Sequence, residues 1–178
     1  MKKLGLLCVL LLLSVGLFAL TATANHQVQL NVNEVAVLAL NSTATITLEI
    51  TPPVVAGDEP QGDTDATKLL RYTSLVPDST TRRMTVAWGA LDVAPNGTEL
   101  AVEITNVLPT NCGTAVAGGV VISDTAQDII TGIGSGRTGS NAGDGAVVSY
   151  AFNITDLNAL DVGDNHLVTV TYTLTDAS

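Results

Sequence analysis

The chain has 178 residues, of which 46% are hydrophobic and 3% aromatic, and 17 acidic residues outnumber 7 basic ones. This length suits one domain, or at most two small ones, and is enough to bury a core. The acidic balance argues against a nucleic-acid binder, and the apolar content argues against a wholly disordered chain.

The first 24 residues have the three parts of a secretory signal peptide. Lys2 and Lys3 form a basic start, residues 4–20 form an apolar run, and Ala22–Ala24 places small residues before Asn25. A membrane anchor is the alternative, because 17 apolar residues just span a bilayer, but no positive cluster follows the run. We predict cleavage after Ala24, with secretion to the cell surface or periplasm and no transmembrane segment once the signal is removed.

Removal of the signal leaves residues 25–178, with 5 basic against 17 acidic residues and a net charge of −12. Such a surface repels nucleic acid and anionic lipid. Threonine accounts for 22 of these 154 residues, and its branched side chain favours strands over helices. Cys112 is the only cysteine left, so the fold has no intramolecular disulfide.

Alternation of apolar and polar residues is the main pattern along the chain, and it is typical of strands with one buried face. The clear examples, in chain order, are Thr43–Ile50, Thr98–Thr105, Ala146–Ile154 and Leu167–Thr175. Shorter runs predict further strands at Val28–Leu40, Leu69–Ser74, Met84–Ala90, Gly119–Ile122 and Asp128–Ile133.

The connections contain residues that favour turns and loops. Pro95-Asn96-Gly97 predicts a turn, Ala56–Thr67 an acidic loop and Gly134–Gly145 a glycine-rich loop. One helical turn is predicted at Asp156–Leu160, capped by Thr155 or Asp156. The sequence therefore predicts an all-β protein with little helix: a single antiparallel β-sandwich domain, Ig-like or pilin-like, over residues 25–178. A closed barrel is the alternative.

No catalytic site is evident, and we predict that the protein is not an enzyme. The only histidines beyond the signal are His26 and His166, and no G-x-S-x-G motif is present. The glycines of Thr131–Gly139 match neither a dinucleotide fingerprint nor a P-loop, so a flexible hairpin is the preferred interpretation. No cofactor is implied.

Acidic pairs and one thiol are the remaining candidates for chemistry. The acidic residues are Asp58, Glu59, Asp63, Asp65, Asp161 and Asp164. Their oxygens suit Ca²⁺, but their spacing does not match an EF-hand, so no metal ligand is assigned. Cys112 lies in a turn-like Asn-Cys-Gly tripeptide, and an odd cysteine in an exported protein suggests a free thiol or an intermolecular bridge. Two placements stay open: an exposed turn with a reactive thiol, or a buried cysteine that acts as a small hydrophobic residue.

Four segments carry a resemblance: QVQLNVNEVAVLAL, RRMTVAWG, AQDIITGIGSGRTGS and VVSYAFNITDLNALDVGDNHLVTVTYTLTDAS. Together they cover most of residues 25–178 and are similar to a group of uncharacterised exported bacterial β-proteins. The ending VTVTYTLTDA is also similar to the last strand of pilin-like and spore-coat-U-like sandwich domains. The resemblance implies a cell-surface or fimbria-like structural subunit.

Two functions follow as hypotheses. The first is an exported structural or adhesive surface subunit, which assembles with itself by edge-strand or donor-strand pairing through Asn25–Leu40, or binds other surface proteins. The alternative within that hypothesis is that Asn25–Leu40 pairs as an ordinary first strand of its own domain. The second function is a stand-alone extracellular module that binds glycan or calcium.

Overall fold

The computed structural model describes residues 23–177, so all but the end of the predicted signal peptide lies outside the described range. Within that range the protein is almost entirely β-structure, with ten strands and one short 3-10 helix, Leu157–Ala159. The strands are β1 (Val35–Leu40), β2 (Asp63–Leu75), β3 (Arg82–Trp88), β4 (Thr98–Ile104), β5 (Cys112–Ala115), β6 (Val120–Val121), β7 (Gln127–Ile133), β8 (Gly136–Arg137), β9 (Ala146–Ile154) and β10 (Val170–Asp176).

Two antiparallel sheets pack against each other, which confirms the sandwich prediction. The larger sheet has the order β1-β2-β9-β4-β6, with β8 paired to β2 beyond the end of β9. The smaller sheet has the order β10-β3-β7-β5. The two sheets stay separate, so the described chain does not form the closed barrel that was the alternative.

The core lies between the sheets and is formed by the inward positions of each strand. On β4, Leu100, Val102 and Ile104 are buried, while on β9 Val148 and Tyr150 are buried. The smaller sheet contributes an apolar layer from β3 and β7, namely Met84, Val86, Ile129, Ile130 and Ile133. Burial of each large aliphatic side chain contributes about 1.5–3 kcal/mol, which stabilises a core that contains no disulfide within residues 23–177.

Local predictions at two connections are confirmed. The amide of Thr98 donates to the carbonyl of Pro95 over 3.1 Å, which closes the predicted turn before β4. Asp156 caps the 3-10 helix, because its carboxylate accepts from the amide of Asn158 at 2.9 Å.

The strand predicted at Thr43–Ile50 is wrong. These residues keep the expected alternation of burial, since Ile46 and Leu48 pack against the core, but they belong to no sheet. The ladder between β1 and β2 ends at the pair Leu40–Leu70, and just beyond it the Asn41 side chain accepts from the amide of Leu69 and donates to the carbonyl of Thr67. The Lys68 ammonium donates to the carbonyls of Ser42 and Ala44, so a side chain takes the place of a backbone ladder.

The acidic loop predicted at Ala56–Thr67 is shorter than expected, because β2 begins at Asp63 and pairs there with β9. Pairing with β9 thus gives Asp63–Thr67 a strand conformation in spite of their polar composition. The strands β5 and β8 were not predicted. The segment predicted as a hairpin, Thr131–Gly139, instead leads from β7 in one sheet to β8 in the other.

The sheets belong to a compact unit that begins at Val32. Residues 23–31 form a separate group with exposed side chains and no helix or strand. Of the strand predicted at Val28–Leu40, only β1 is formed, and it pairs with β2 of its own chain. Among residues 23–177, no helix has both the length and the apolar character needed to span a membrane.

Candidate functional site

A groove of about 700 Å³ opens between two stretches of chain that join neither sheet. One wall is formed by residues 42–49, which follow β1, and the other by residues 164–169, which precede β10. The base is mainly apolar and aromatic and includes Trp88, Leu100, Tyr150 and Phe152. The volume falls within the range of pockets that hold small molecules or peptide segments.

Much of the backbone of the first wall has no hydrogen-bond partner within the described chain. Within residues 23–177, the amides and carbonyls of residues 45–50 make no hydrogen bond, and the ladder resumes only at the bridge between Thr51 and Gln61. Thr45 and Thr47 are exposed, while Ile46 and Leu48 turn toward the core. This wall therefore has the side-chain arrangement of a strand but no partner strand.

The second wall, residues 164–169, includes the first three residues of the strand predicted at Leu167–Thr175. The sheet pairing begins at Val170, opposite Trp88, so the first three predicted residues precede the ladder. Val168 is half-buried and Leu167 is exposed. The strand that continues this wall, β10, lies at the edge of the smaller sheet.

Two side-chain contacts hold the second wall in place. Asp92 accepts hydrogen bonds from the amides of Gly89 and Thr169, at 3.1 and 2.9 Å. The ring of His166 lies between the carbonyl of Val93 (Nδ1 to O, 2.7 Å) and the carboxylate of Asp164 (Nε2 to Oδ1, 2.8 Å).

Both nitrogens of the His166 ring face acceptors, and only the protonated imidazolium can donate to both. The hydrogen bond to Val93 is the main cause that raises the pKa of His166, and the contact with Asp164 adds to it, while desolvation opposes them. Asp164 and His166, which the sequence analysis considered but assigned to no site, are thus brought together, and their contact holds a loop in place. No nucleophilic hydroxyl or thiol accompanies them among the hydrogen bonds of the described chain.

Lys68 lies under the first wall and is only 7% exposed. It has no acidic partner within the described chain and is held by backbone carbonyls of residues 42–44. Its ammonium carries three protons, so two carbonyls leave one proton for a further acceptor. The groove therefore contains one buried cation in an otherwise acidic protein.

The acidic candidates are not gathered into a site. Asp58 and Glu59 are exposed, while Asp63 and Asp65 lie on β2, where their carboxylates accept from Thr64 and Thr67. Among residues 23–177, no three His, Cys, Asp or Glu side chains are placed to hold a metal ion. His26 lies in the exposed group of residues 23–31.

Cys112 is a buried free thiol, which is one of the two placements that the sequence leaves open. The thiol is fully buried at the start of β5, and burial raises its pKa. The next residue, Gly113, has a φ of +87°, and a Cβ there would lie 2.6 Å from the carbonyl oxygen of Thr131. The turn-like tripeptide is therefore a point of close approach between β5 and β7.

Sequence reasoning did not find the groove, although its two walls overlap two of the clearest alternating segments, Thr43–Ile50 and Leu167–Thr175. Each was predicted to be a strand paired within the sandwich, whereas the structure leaves these walls unpaired. No protein-family model matches the chain, and neither a curated protein nor a solved structure shows significant similarity to it.

Proposed function

We propose that this protein is an exported structural subunit of the cell surface, fimbria-like, that assembles with copies of itself through its N-terminal segment. The observation that supports this is the exposed apolar face of residues 27–33. Val28, Leu30 and Val32 are 66%, 87% and 90% exposed, and they alternate with glutamine and asparagine. One apolar and one polar face are what an extended segment needs to join a sheet.

Apolar side chains in such a row favour association, because a partner can remove them from water. At about 25 cal/mol per Å², burial of three valine- or leucine-sized side chains contributes several kcal/mol to association. Residues 27–33 carry no charge, so they can approach a second copy despite a net charge of −12 over residues 25–178.

The test is the oligomeric state of the chain that begins at Asn25, measured by light scattering and electron microscopy over a range of concentrations. We expect oligomers or filaments from the unchanged chain, and monomers when Val28, Leu30 and Val32 are all replaced by serine. The matched control replaces Gln27, Gln29 and Asn31 by serine on the opposite face and should assemble normally. A monomeric unchanged chain, or normal assembly of the Val28/Leu30/Val32 variant, would overturn the proposal.

Export is tested separately by the intact mass of protein recovered outside the cytoplasm. A mass that begins at Asn25 supports the proposed export, whereas a full-length membrane-embedded species contradicts it.

A stand-alone glycan-binding module is the second candidate, supported by the aromatic groove. Trp88, Tyr150 and Phe152 lie together there, and aromatic faces suit apolar patches of a ligand. A monomer whose tryptophan emission responds to oligosaccharides would favour this candidate over assembly.

A further inference from the structure

We propose that the groove is the acceptor site for assembly, and that its occupant is the segment of residues 27–33 from a second copy of this chain. This inference rests on the proposed function and adds to it the surface on which the partner binds. The incoming segment lies between the two walls as an added strand.

The unpaired backbone of the walls is the first argument. An extended segment between them can exchange backbone hydrogen bonds with residues 45–50, which have no hydrogen-bond partner in residues 23–177. It can also extend the open edge of the smaller sheet beside β10. A small ligand would leave most of these amides and carbonyls unpaired, so the backbone favours a peptide occupant.

The length of residues 27–33 and their apolar face both fit the groove. Residues 45–50, the unpaired part of the wall, are six residues long and residues 27–33 of the segment are seven, which is about 20 and 23 Å when extended. In this arrangement Val28, Leu30 and Val32 would point toward Trp88 and Tyr150 at the base of the groove, while the glutamine and asparagine side chains would face solvent. The segment brings no lysine or arginine toward the buried Lys68 ammonium.

The occupant comes from another copy, because the chain's own segment is too short. Val32 is three residues from Val35 and therefore lies within about 11 Å of it. The groove begins near Leu40, at the far end of β1, about 17 Å from Val35. Val32 therefore does not reach the groove of its own subunit, so only a second copy can place all three apolar side chains there.

The test uses two complementary defects in the chain that begins at Asn25. The donor-defective variant replaces Val28, Leu30 and Val32 by serine. The acceptor-defective variant is Thr47→Pro, which removes an amide without a hydrogen-bond partner in the described chain and places a ring in the middle of the wall along which the added strand would lie. Thr47→Ala is its control, since it retains the amide and changes an exposed side chain.

We expect each defective variant alone to be monomeric, and Thr47→Ala to assemble as the unchanged chain does. An equimolar mixture of the two defective variants should give a heterodimer that grows no further, because one intact segment meets one intact groove. Assembly by Thr47→Pro comparable to the unchanged chain would overturn the groove as acceptor while leaving the proposed function intact. A monomeric unchanged chain would overturn both.

A second measurement does not depend on the folding of Thr47→Pro. Trp88 is the only tryptophan and lines the groove, so its emission reports occupancy. A synthetic peptide of residues 25–33 should shift the emission of the donor-defective variant and bind at least tenfold more tightly than a peptide with serine at positions 28, 30 and 32. Equal binding of the two peptides, or a response to sugars alone, would overturn the inference.

Discussion

The hydroxyl of Tyr172 donates a hydrogen bond to the hydroxyl of Tyr150 over 2.7 Å, and the two tyrosines belong to opposite sheets of the sandwich. Burial raises the pKa of both phenols, so neither ionises at neutral pH. Tyr150 also lines the groove. This polar contact thus ties the sheets together beside the proposed acceptor site.

Replacement of either tyrosine by phenylalanine should lower the free energy of unfolding by about 1 kcal/mol, because the remaining hydroxyl loses its buried partner. The double variant should lose less than the sum of the two single changes. Denaturant unfolding of all four proteins measures this coupling. Strict additivity would show that the hydroxyls do not stabilise each other.

Arg82 is expected to be the most sensitive charged residue. It is 6% exposed, and its guanidinium donates to the carboxylate of Asp176 at 3.0 Å and to the carbonyls of Val35 and Leu75 at 2.6 and 3.1 Å. It therefore joins the start of β1 and the end of β2 to β10. Arg82→Met should lower the free energy of unfolding by about 2 kcal/mol, since the buried guanidinium is the donor to these three acceptors and none of them keeps it.

The neighbouring Arg83 provides the control. Its contact with Asp128 is longer, 3.5 Å, and more than a third of each side chain is exposed. Arg83→Met should cost less than about 1 kcal/mol in the same denaturant titration. Equal losses for the two variants would contradict the structural role of Arg82.

Cys112 should be unreactive in the folded protein. In the chain that begins at Asn25 it is the sole cysteine, so a thiol reagent reports on it alone. Burial and a raised pKa both disfavour the reactive thiolate. We expect complete protection from the reagent until denaturant unfolds the protein, and no disulfide-linked dimer on non-reducing gels. Rapid labelling under native conditions would contradict the buried position.

His166 should make stability depend on pH. Its folded-state pKa is raised above 6.5 by the contacts with Val93 and Asp164, so folding favours the protonated ring. This stabilisation is fully present below about pH 6.5 and is lost as the pH rises through the folded-state pKa. Asp92 is a second carboxylate that contacts this wall, and it accepts a hydrogen bond from the amide of Thr169.

The difference in melting temperature between the unchanged chain and His166→Gln should therefore be larger at pH 5.5 than at pH 8.5. His26→Gln, in the exposed N-terminal segment, is the control for the loss of an imidazole. If the difference for His166→Gln is the same at both pH values, the ring does not act as a protonated contact.

The sequence was sufficient to predict β4 and β9, because strict alternation there coincides with pairing between two central strands. Alternation was not sufficient at Thr43–Ile50. The pattern records which side chains face the core, but hydrogen bonding depends on the opposite strand, where Lys68 intervenes. The groove lies between residues 42–49 and 164–169, two segments more than a hundred residues apart that join neither sheet. The local alternation of apolar and polar residues does not show whether a segment is paired with another strand.

The burial of Lys68 has a consequence for proteolysis. It is the only lysine beyond residue 3, so a lysine-specific protease has one site in residues 25–178, and that site lies within β2. Cleavage there requires the strand to leave the sheet and the ammonium to leave the carbonyls of Ser42 and Ala44. Under native conditions the digestion rate thus measures how often this part of the larger sheet opens.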